Sequence, residues 1–531
     1  MNISFENIVE GLSINPENPS LYEALGDYYY SININQAYLC FEHAYNRYES
    51  QSDKSTVNAK MLQCSKSDGF YVVPTSFVIL SYNSKEVMIE CLDAIRNTCD
   101  PGTYEIVVID NVSTDGIRDY LVEQTDIKLA LNDVNSGFAA GCNQGAKLAN
   151  PTYDIMLLNN DAIVAPHSIF YMRLGLYSDP QYGATGPMCN NAVATQMYSY
   201  ESHTKEEWFE ISKSICLPSQ HYAEKMHWLQ GHALLVKRWV WDEIGGLDTR
   251  YLYGTSEDND YGLKLNSNGF YTVLCHNSFV YHYGSLSMGG KKSNETNKYR
   301  AENAKKLAQK WGFDWAYHCF TRFDMVQQIT CSPDEAIKVL EIGCGMANTL
   351  NVISYRFPNS EVHGIDINEN VVKIAQNFTN VICGDIETMT IPFPAEYFDY
   401  VIISNTIQCL LNPLETLKKL YPYIKKGGHL LISAPNALHI SVIMDYLRGK
   451  NELSYTKDPN AYHRFTNDDL TNLVKQAGYN IILWNYAISN TYIETHPEAL
   501  QLANYLETLP GMPKKDSFSI ITNLIKAQKP N

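Results

Sequence analysis

The sequence predicts an α/β protein in which two doubly wound domains follow a small α-helical segment. Three observations lead there. The chain, at 531 residues, exceeds what one ordinary core organises. From Thr75 to about His318, short apolar runs alternate with amphipathic segments, the pattern of a parallel α/β sheet. The alternation then restarts on a fresh strand at Ile337 and continues to about Leu483, which a second sheet explains better than one oversized sheet.

Composition narrows the class. With 45% hydrophobic and 19% charged residues and a mean hydropathy of −0.26, the chain has the profile of a soluble globular protein. A net charge of −17 and a pI near 5.3 disfavour a protein that embraces nucleic-acid phosphates. Small nucleotides, held by backbone N–H groups and metals, remain open. The opening MNISFENIVEGL has neither a basic stretch nor an apolar core, so no signal peptide is expected. No apolar run nears the ~18–20 residues of a membrane helix. Thirteen cysteines without a CxxC pair suggest reduced, mostly buried thiols. A cytoplasmic location is therefore expected, and a zinc site is not.

Residues 1–68 have a helical pattern and end in a polar stretch, Glu49 to Asp68, that suits a linker. Tyr22, Leu25, Gly26 and Tyr29 are followed by Ala37, Phe41 and Ala44, the last three sharing one helical face. With Asn15-Pro16 and Asn18-Pro19 just before, the segment resembles one tetratricopeptide repeat, a residue short between its helices. A single repeat cannot bury its own apolar face. It must pack on the next domain, on a second subunit, or on a protein acceptor.

In the first α/β region, Phe77–Leu80 is a strand that stops at Ser81-Tyr82-Asn83, and Glu105–Ile109 is one that ends on Asp110-Asn111. Ile127–Leu131 ends on Asn132, and Ile155–Leu158 on Asn159-Asn160-Asp161. Ligands of open α/β sheets sit at the carboxyl ends of strands. One such polar residue is an ordinary helix cap; four strand ends together point to a nucleotide site.

The stretches FVILSYNS (77–84), EIVVIDNVSTDG (105–116), NSGFAAGCNQG (135–145), DIMLLNNDAIV (154–164), GGLDTRYLYGTSEDNDYGLKLNSNGF (245–270) and VYHYGSLS (280–287) resemble glycosyltransferase family 2, in its order. That resemblance implies a GT-A fold over residues 70–315. It sets Asp110 against a pyrimidine base, with Ser81, Asn83 and Asn111 nearby and Asn160 and Asp161 toward the sugar diphosphate. The implied donor is a UDP- or dTDP-sugar. Asp161 and His282 are the implied ligands of Mg²⁺ or Mn²⁺, a hard ion suited to a diphosphate. Asn159 stands where the family has its first acid, which weakens the site's charge. Asp258, with Glu257 beside it, is the implied catalytic carboxylate, taking the acceptor proton as the anomeric carbon inverts. Asp248 is expected to shape the acceptor side or cap a turn.

In the second region, Ile337–Ile342 feeds Gly343-Cys344-Gly345, where glycines let backbone pass close to a ligand. Val362–Ile365 ends on Asp366, about 20 residues further on, the separation at which an acid commonly holds ribose hydroxyls. An NAD site shares these features, but Asn348 occupies the place of its third glycine. Gly384-Asp385, the strand Phe398–Ile403, the turn Lys426-Gly427-Gly428 and HRFTNDDLTNLVKQAGY (463–479) follow. This series resembles the Rossmann-like class I S-adenosylmethionine-dependent methyltransferases and implies such a domain over 320–490, with 491–531 as an extension whose pattern is helical. Glu341, Gly343 and Gly345 would flank the methionine part of S-adenosylmethionine. Asp366 would hold the ribose, Asp385 would approach the adenine amine and Ile386 would pack beside its ring. The subgroup's usual histidine is missing from Asn405–Leu410, leaving His463 as a substitute base. Methyl transfer often needs little beyond alignment.

The expected protein is therefore a bifunctional transferase of bacterial surface-glycan or flagellin glycosylation, adding a sugar and methylating a glycan-related acceptor. The alternative is a glycosyltransferase whose methyltransferase-like domain is a scaffold. Expected partners are the nucleotide-sugar and a glycan or protein acceptor. A peripheral membrane contact at a lipid-linked acceptor and a second copy through the N-terminal hairpin complete the set; nucleic acid is not in it.

Overall fold

The computed structural model describes residues 3–193, 195–199, 201, 203–252, 254–284, 294–449 and 461–531. Ser285, Leu286 and Ser287 of the sixth motif lie outside the described residues. The chain divides into two compact units, Met1–Lys310 and Trp311–Asn531. Among the described residues no helix is long and apolar enough to cross a membrane.

The first unit opens with four helices: α1 (Phe5–Ile14), α2 (Pro19–Tyr29), α3 (Ile34–Arg47) and α4 (Gln51–Ser65). Asn18 caps α2 by accepting from the Ser20 N–H, and Pro19 occupies its first turn, where a missing N–H costs nothing. Gly26 lets α3 close on α2, because a Cβ there would lie 2.4 Å from the Phe41 ring. The stretch expected to be a linker is α4. Its Ser50 side chain accepts from the Asp53 N–H, no glycine or proline interrupts it, and Lys60 pairs with Glu23 and Asp27 of α2. Its polarity belongs to a helix with a wide solvent face, where only Val57 and Cys64 are buried.

The apolar face of the α2–α3 hairpin lies against the rest of its own unit. Gln36 donates to the Leu174 carbonyl at 3.1 Å and to the Tyr222 hydroxyl at 2.8 Å. Arg173 pairs with Glu42 at 2.5 Å, and the His43 ring stacks on Phe170 with centroids 4.0 Å apart. Of the three surfaces open to that face, the following domain takes it.

The first sheet has strands β1 (Thr75–Ser81), β2 (Tyr104–Asp110), β3 (Ile127–Leu131), β4 (Asp154–Asn159), β5 (Ala162–Val164), β6 (Tyr182–Cys189), β7 (Ala223–Met226), β8 (Ala233–Val236) and β9 (Tyr271–His282). Their order is β3-β2-β1-β4-β8-β6-β9-β5, with β7 also on β9. The first four are parallel. The pattern predicted a parallel sheet throughout, but β8 runs antiparallel to β4 and β6, and β5 and β7 antiparallel to β9. Strands of three or four residues carry too few positions to announce their direction, and only Asn160 and Asp161 separate β4 from β5. The helix Phe138–Leu148 presses on β1 through Gly141 and Gly145, where a Cβ would lie 2.3 Å from Leu80 or 2.4 Å from Val78.

The second sheet has β10 (Lys338–Ile342), β11 (Glu361–Asp366), β12 (Asn380–Cys383), β13 (Phe398–Ser404), β14 (Ile424–Pro435), β15 (Asn480–Ile488) and β16 (Ile520–Gln528), ordered β12-β11-β10-β13-β14-β16-β15. It is parallel as far as β14, and β16 then enters antiparallel to both neighbours. The final stretch, helical by its pattern, forms helices Thr491–Thr495 and Pro497–Glu507 and then this inner strand. Residues 520–528 are thus part of the second unit's sheet, with Leu524, Ile525 and Ala527 buried in its core.

Gly26→Val should force Phe41 from its seat and lower the stability of the first unit by about 1–3 kcal/mol, the usual cost of overpacking. Denaturant unfolding checks this; an unchanged midpoint would contradict the close α2–α3 approach.

Candidate functional site

In the first unit, register builds the site. Ser81 stands opposite Asp110 and Leu80 opposite Asn159, so three strand ends finish side by side. Buried polar atoms almost always find a partner, which makes those without one informative. Among the described residues, the Ser81 hydroxyl, Asp110 Oδ2 and Asn159 Oδ1 are all buried without a hydrogen-bond partner. The other Asp110 oxygen accepts from the Arg118 guanidinium and from the Ser113 N–H at 3.1 Å. Arg118, which no motif marked, thereby orients Asp110 and leaves Oδ2 able to accept from a ligand N–H.

Other expected residues brace the loops. Asn83, in the left-handed region at φ 58°, donates its N–H to Ser113 and accepts the Thr114 N–H, both at 2.9 Å. The Asn111 amide bonds Asn135 and the Gly137 carbonyl and accepts from Asn132. Asn160 donates to the Asn83 carbonyl at 3.3 Å. Asn83, Asn111 and Asn160 thus hold the rim around Ser81 and Asp110.

Asp161 is buried beside His282, whose Nε2 lies 3.2 Å from Asp161 Oδ1 at an ion-pair contact. The pairing Ala162↔His282 across β5 and β9 puts them together. Burial opposes protonation of His282, but Asp161 and Cys189 outweigh it and raise the imidazole to about 10. With Asn159 Oδ1 also unpartnered, the donor set fits a divalent cation, which would draw the imidazole into its neutral form.

Glu257 and Asp258 open the helix Glu257–Ser267, placed by Ser256 at φ 74°. The helix N-terminus favours carboxylates there. Asp258 accepts the Asn259 N–H at 2.8 Å and the Gly231 N–H at 3.3 Å. Glu257 Oε2 is buried and unpartnered. Burial pushes both carboxyls up, and the Asp258 charge adds to the rise at Glu257. Asp248 lies off this cluster, accepting from Arg250 and paired with Lys310 at 2.9 Å.

In the second unit, the Gly343–Gly345 turn is forced by sterics. Both glycines have positive φ, and a Cβ would lie 2.2 Å from Thr406 Oγ1 or 2.4 Å from the His318 carbonyl. Asp366 accepts the Gly345 N–H at 2.8 Å and the Asn368 N–H at 2.9 Å, tying the first two strand ends together. Ile367 beside it is exposed, an apolar surface that sequence reasoning missed. Asp385 accepts from the Glu387 N–H and the Thr388 hydroxyl, while Ile386 is buried. Glu341 has one buried, unpartnered oxygen; burial pushes it up to about 8, against the nearby Arg322 and with the help of Asp366. His463 reaches the strand-end loop at Ile407–Leu411, where its backbone N–H donates to the Gln408 carbonyl at 3.0 Å and its ring Nε2 lies 3.3 Å from the Leu411 carbonyl.

Comparisons agree with this division. Residues 76–217 match the family described as glycosyl transferase family 2, and residues 320–483 match a methyltransferase domain. The second region is similar to malonyl-[acyl-carrier protein] O-methyltransferase of Priestia megaterium, 26% identical over 151 residues, 27% of this chain and 54% of that protein. It is also similar to demethylmenaquinone methyltransferase of Anoxybacillus flavithermus, 30% identical over 101 residues, 18% of this chain and 43% of that protein. The chain spans about half the length of the curated relatives it matches. Among solved structures, an S-adenosylmethionine-dependent methyltransferase from Archaeoglobus fulgidus is 20% identical, covering 42% of this chain and 99% of its own, with a TM-score of 0.30. One from Mesorhizobium loti is 13% identical, covering 38% and 96%, with a TM-score of 0.28. Two different domain models thus match separate stretches of the chain. It carries a glycosyl transferase family 2 domain followed by a methyltransferase domain.

A carboxyl raised by folding binds more protons folded than unfolded, so stability falls as pH climbs from its unfolded to its folded value. For Glu341 that window is about 4.5 to 8. Glu341→Gln should flatten the decline in the second unit's unfolding midpoint across it; an unaltered slope would remove Glu341 as its source.

Proposed function

We propose that the chain is a bifunctional transferase. Its first unit moves a sugar from a UDP- or dTDP-sugar to a glycan or protein hydroxyl with inversion. Its second unit methylates an oxygen of a glycan-related acceptor, in bacterial surface-glycan or flagellin glycosylation. The observation that carries the first activity is the convergence of unpartnered buried atoms at Ser81, Asp110, Asn159 and Glu257 with Asp161 and His282. Asp110 accepts from the pyrimidine base, and Asn83, Asn111 and Asn160 hold the surrounding loops. Asp258 takes the acceptor proton as the acceptor oxygen bonds the anomeric carbon and the diphosphate leaves from the opposite face. Glu257, raised by burial, stays protonated beside it and keeps a second negative charge from the base. Asp161 and His282, with Asn159, would hold a Mg²⁺ or Mn²⁺ ion that neutralises the diphosphate.

In the second unit, Gly343 and Gly345 admit the methionine part of S-adenosylmethionine and Glu341 Oε2 accepts from its ammonium. Asp366 turns to the ribose, with Asp385 and Ile386 at the adenine. Bound S-adenosylmethionine supplies a methyl group on a sulfonium. The scaffold alternative has one observation in its favour: buried Gln408, not histidine, occupies the loop after β13.

Asp258→Asn should cut sugar transfer about 100- to 10,000-fold, the range for a lost general base. Because burial raises Asp258, wild-type kcat/KM should fall on acidification with a midpoint above the ordinary carboxylate range. Undiminished turnover in the variant, in a donor screen with Mn²⁺, would sink the assignment. S-adenosylhomocysteine, and not NAD, should raise the unfolding temperature, and Asp366→Ala should abolish the rise. Binding without methyl transfer to any glycan acceptor would favour the scaffold.

A further inference from the structure

Three strand ends of the first sheet bring together side chains that lie far apart in sequence. Cys189 closes β6, which runs parallel to β9 with Cys189 opposite Val280, two residues before His282. His232 precedes β8, and its carbonyl accepts the Asn159 N–H at 2.9 Å. One ligand atom from each of Cys189, His232 and His282 lies within 4.8 Å of the others, and all three residues are buried. No spacing motif announces the cluster, which is why the cysteine pattern predicted no zinc site.

The geometry points to a site for a borderline-soft divalent ion of the zinc class, held by Cys189, His232 and His282, with Asp161 available as a fourth ligand. Three observations support it. Both ring nitrogens of His232 are buried without a hydrogen-bond partner among the described residues. The His232 ring stacks on His282 at 5.1 Å and 19°, so the two imidazoles are immediate neighbours, and a ligand atom of each lies within 4.8 Å of the other. His282 Nδ1 sits 2.9 Å from the Asn191 carbonyl, which receives its N–H and leaves Nε2 as the lone-pair nitrogen. Ligating histidines are usually oriented by such a bond on the other nitrogen. Asn190 fixes the same residue by accepting the His282 N–H at 2.7 Å and donating to its carbonyl at 3.2 Å.

The donor chemistry selects the ion. Mg²⁺ prefers oxygen, whereas thiolate with imidazole suits zinc and cobalt. Tetrahedral ligands at zinc bond lengths stand about 3.4–3.8 Å apart, so the trio needs to close by about 1 Å at most. Binding releases the Cys189 thiol proton to solvent and needs neutral imidazoles. Because the site uses His282 and Asp161, a zinc-class ion held there takes the place of the Mg²⁺ or Mn²⁺ proposed above; the inference rests on that reading only for its proximity to the diphosphate.

The test uses the full chain, stripped with chelator and titrated with Co²⁺. Expected are a thiolate-to-cobalt charge-transfer band with intense visible bands, displaced by Zn²⁺ and not by Mg²⁺. Cys189→Ser should lose the charge-transfer band, and His232→Gln should weaken Zn²⁺ binding at least about 10-fold. Cys383→Ser, at an exposed cysteine, should change neither. If Cys189→Ser does not fold, His232→Gln carries the test alone. No charge-transfer band in the wild type, or a band and affinity unchanged in the variants, overturns the inference. Sugar transfer by a chain that binds no zinc would remove this site and leave the transferase standing; zinc binding without sugar transfer would do the reverse.

Discussion

Both units depend on the same constraint, the register of parallel strands at their carboxyl ends. In a parallel pair the hydrogen bonds slant evenly along the strands. Where neighbouring strands stop together, their next residues form a row at the sheet's edge. In the first unit Ser81 faces Asp110 across β1 and β2, while Leu80 faces Asn159 across β1 and β4. In the second, Ile342 faces Ile365 and Ile403, which sets Gly343, Asp366 and Ser404 at one level. A one-residue slip would turn every inward side chain outward. The cores therefore enforce the rows on which the ligand-facing atoms stand.

The two units use that row differently. In the second, glycines at positive φ bring backbone close to the strand ends, and Asp366 is held by two backbone N–H groups. In the first, strands later in the chain reach the same edge, β6 and β9 running with β1–β4 and β8 against them. β9 brings His282 beside Asp161, and the entry to β8 brings His232 beside Asn159. The parallel ends of β6 and β9 add Cys189 and His282, and the entry to antiparallel β8 adds His232 and the loop whose Gly231 N–H holds Asp258.

What could be read from the sequence follows from this geometry. Ser81, Asp110, Asn159–Asp161, Glu341 and Asp366 sit where a local apolar run ends, and a local run is visible without the fold. Cys189, His232, Arg118 and Arg322 owe their places to strand pairing or to loops that return, which local periodicity does not encode. The misassigned segments have the same origin. The polar α4 resembled a linker because its partners Glu23 and Asp27 lie on another helix. Strand β16 was hidden in a helical stretch because its place between β14 and β15 is set by two strands far upstream.

The unpartnered atoms give the last step. Leaving a buried polar group unmatched costs about 1–3 kcal/mol, so several such atoms along one edge call for an explanation. In the first unit, the Ser81 hydroxyl, Asp110 Oδ2, Asn159 Oδ1, Glu257 Oε2 and the His232 nitrogens belong to strand ends, a helix start and a strand entry. These elements have separate structural reasons to be where they are. Their common feature is the edge they share, so its polarity is better explained by ligands than by folding. Asp110 makes the distinction within one side chain. Oδ1 is spent on Arg118 and Ser113, which keep the loop, while Oδ2 is left bare beside the Ser81 hydroxyl.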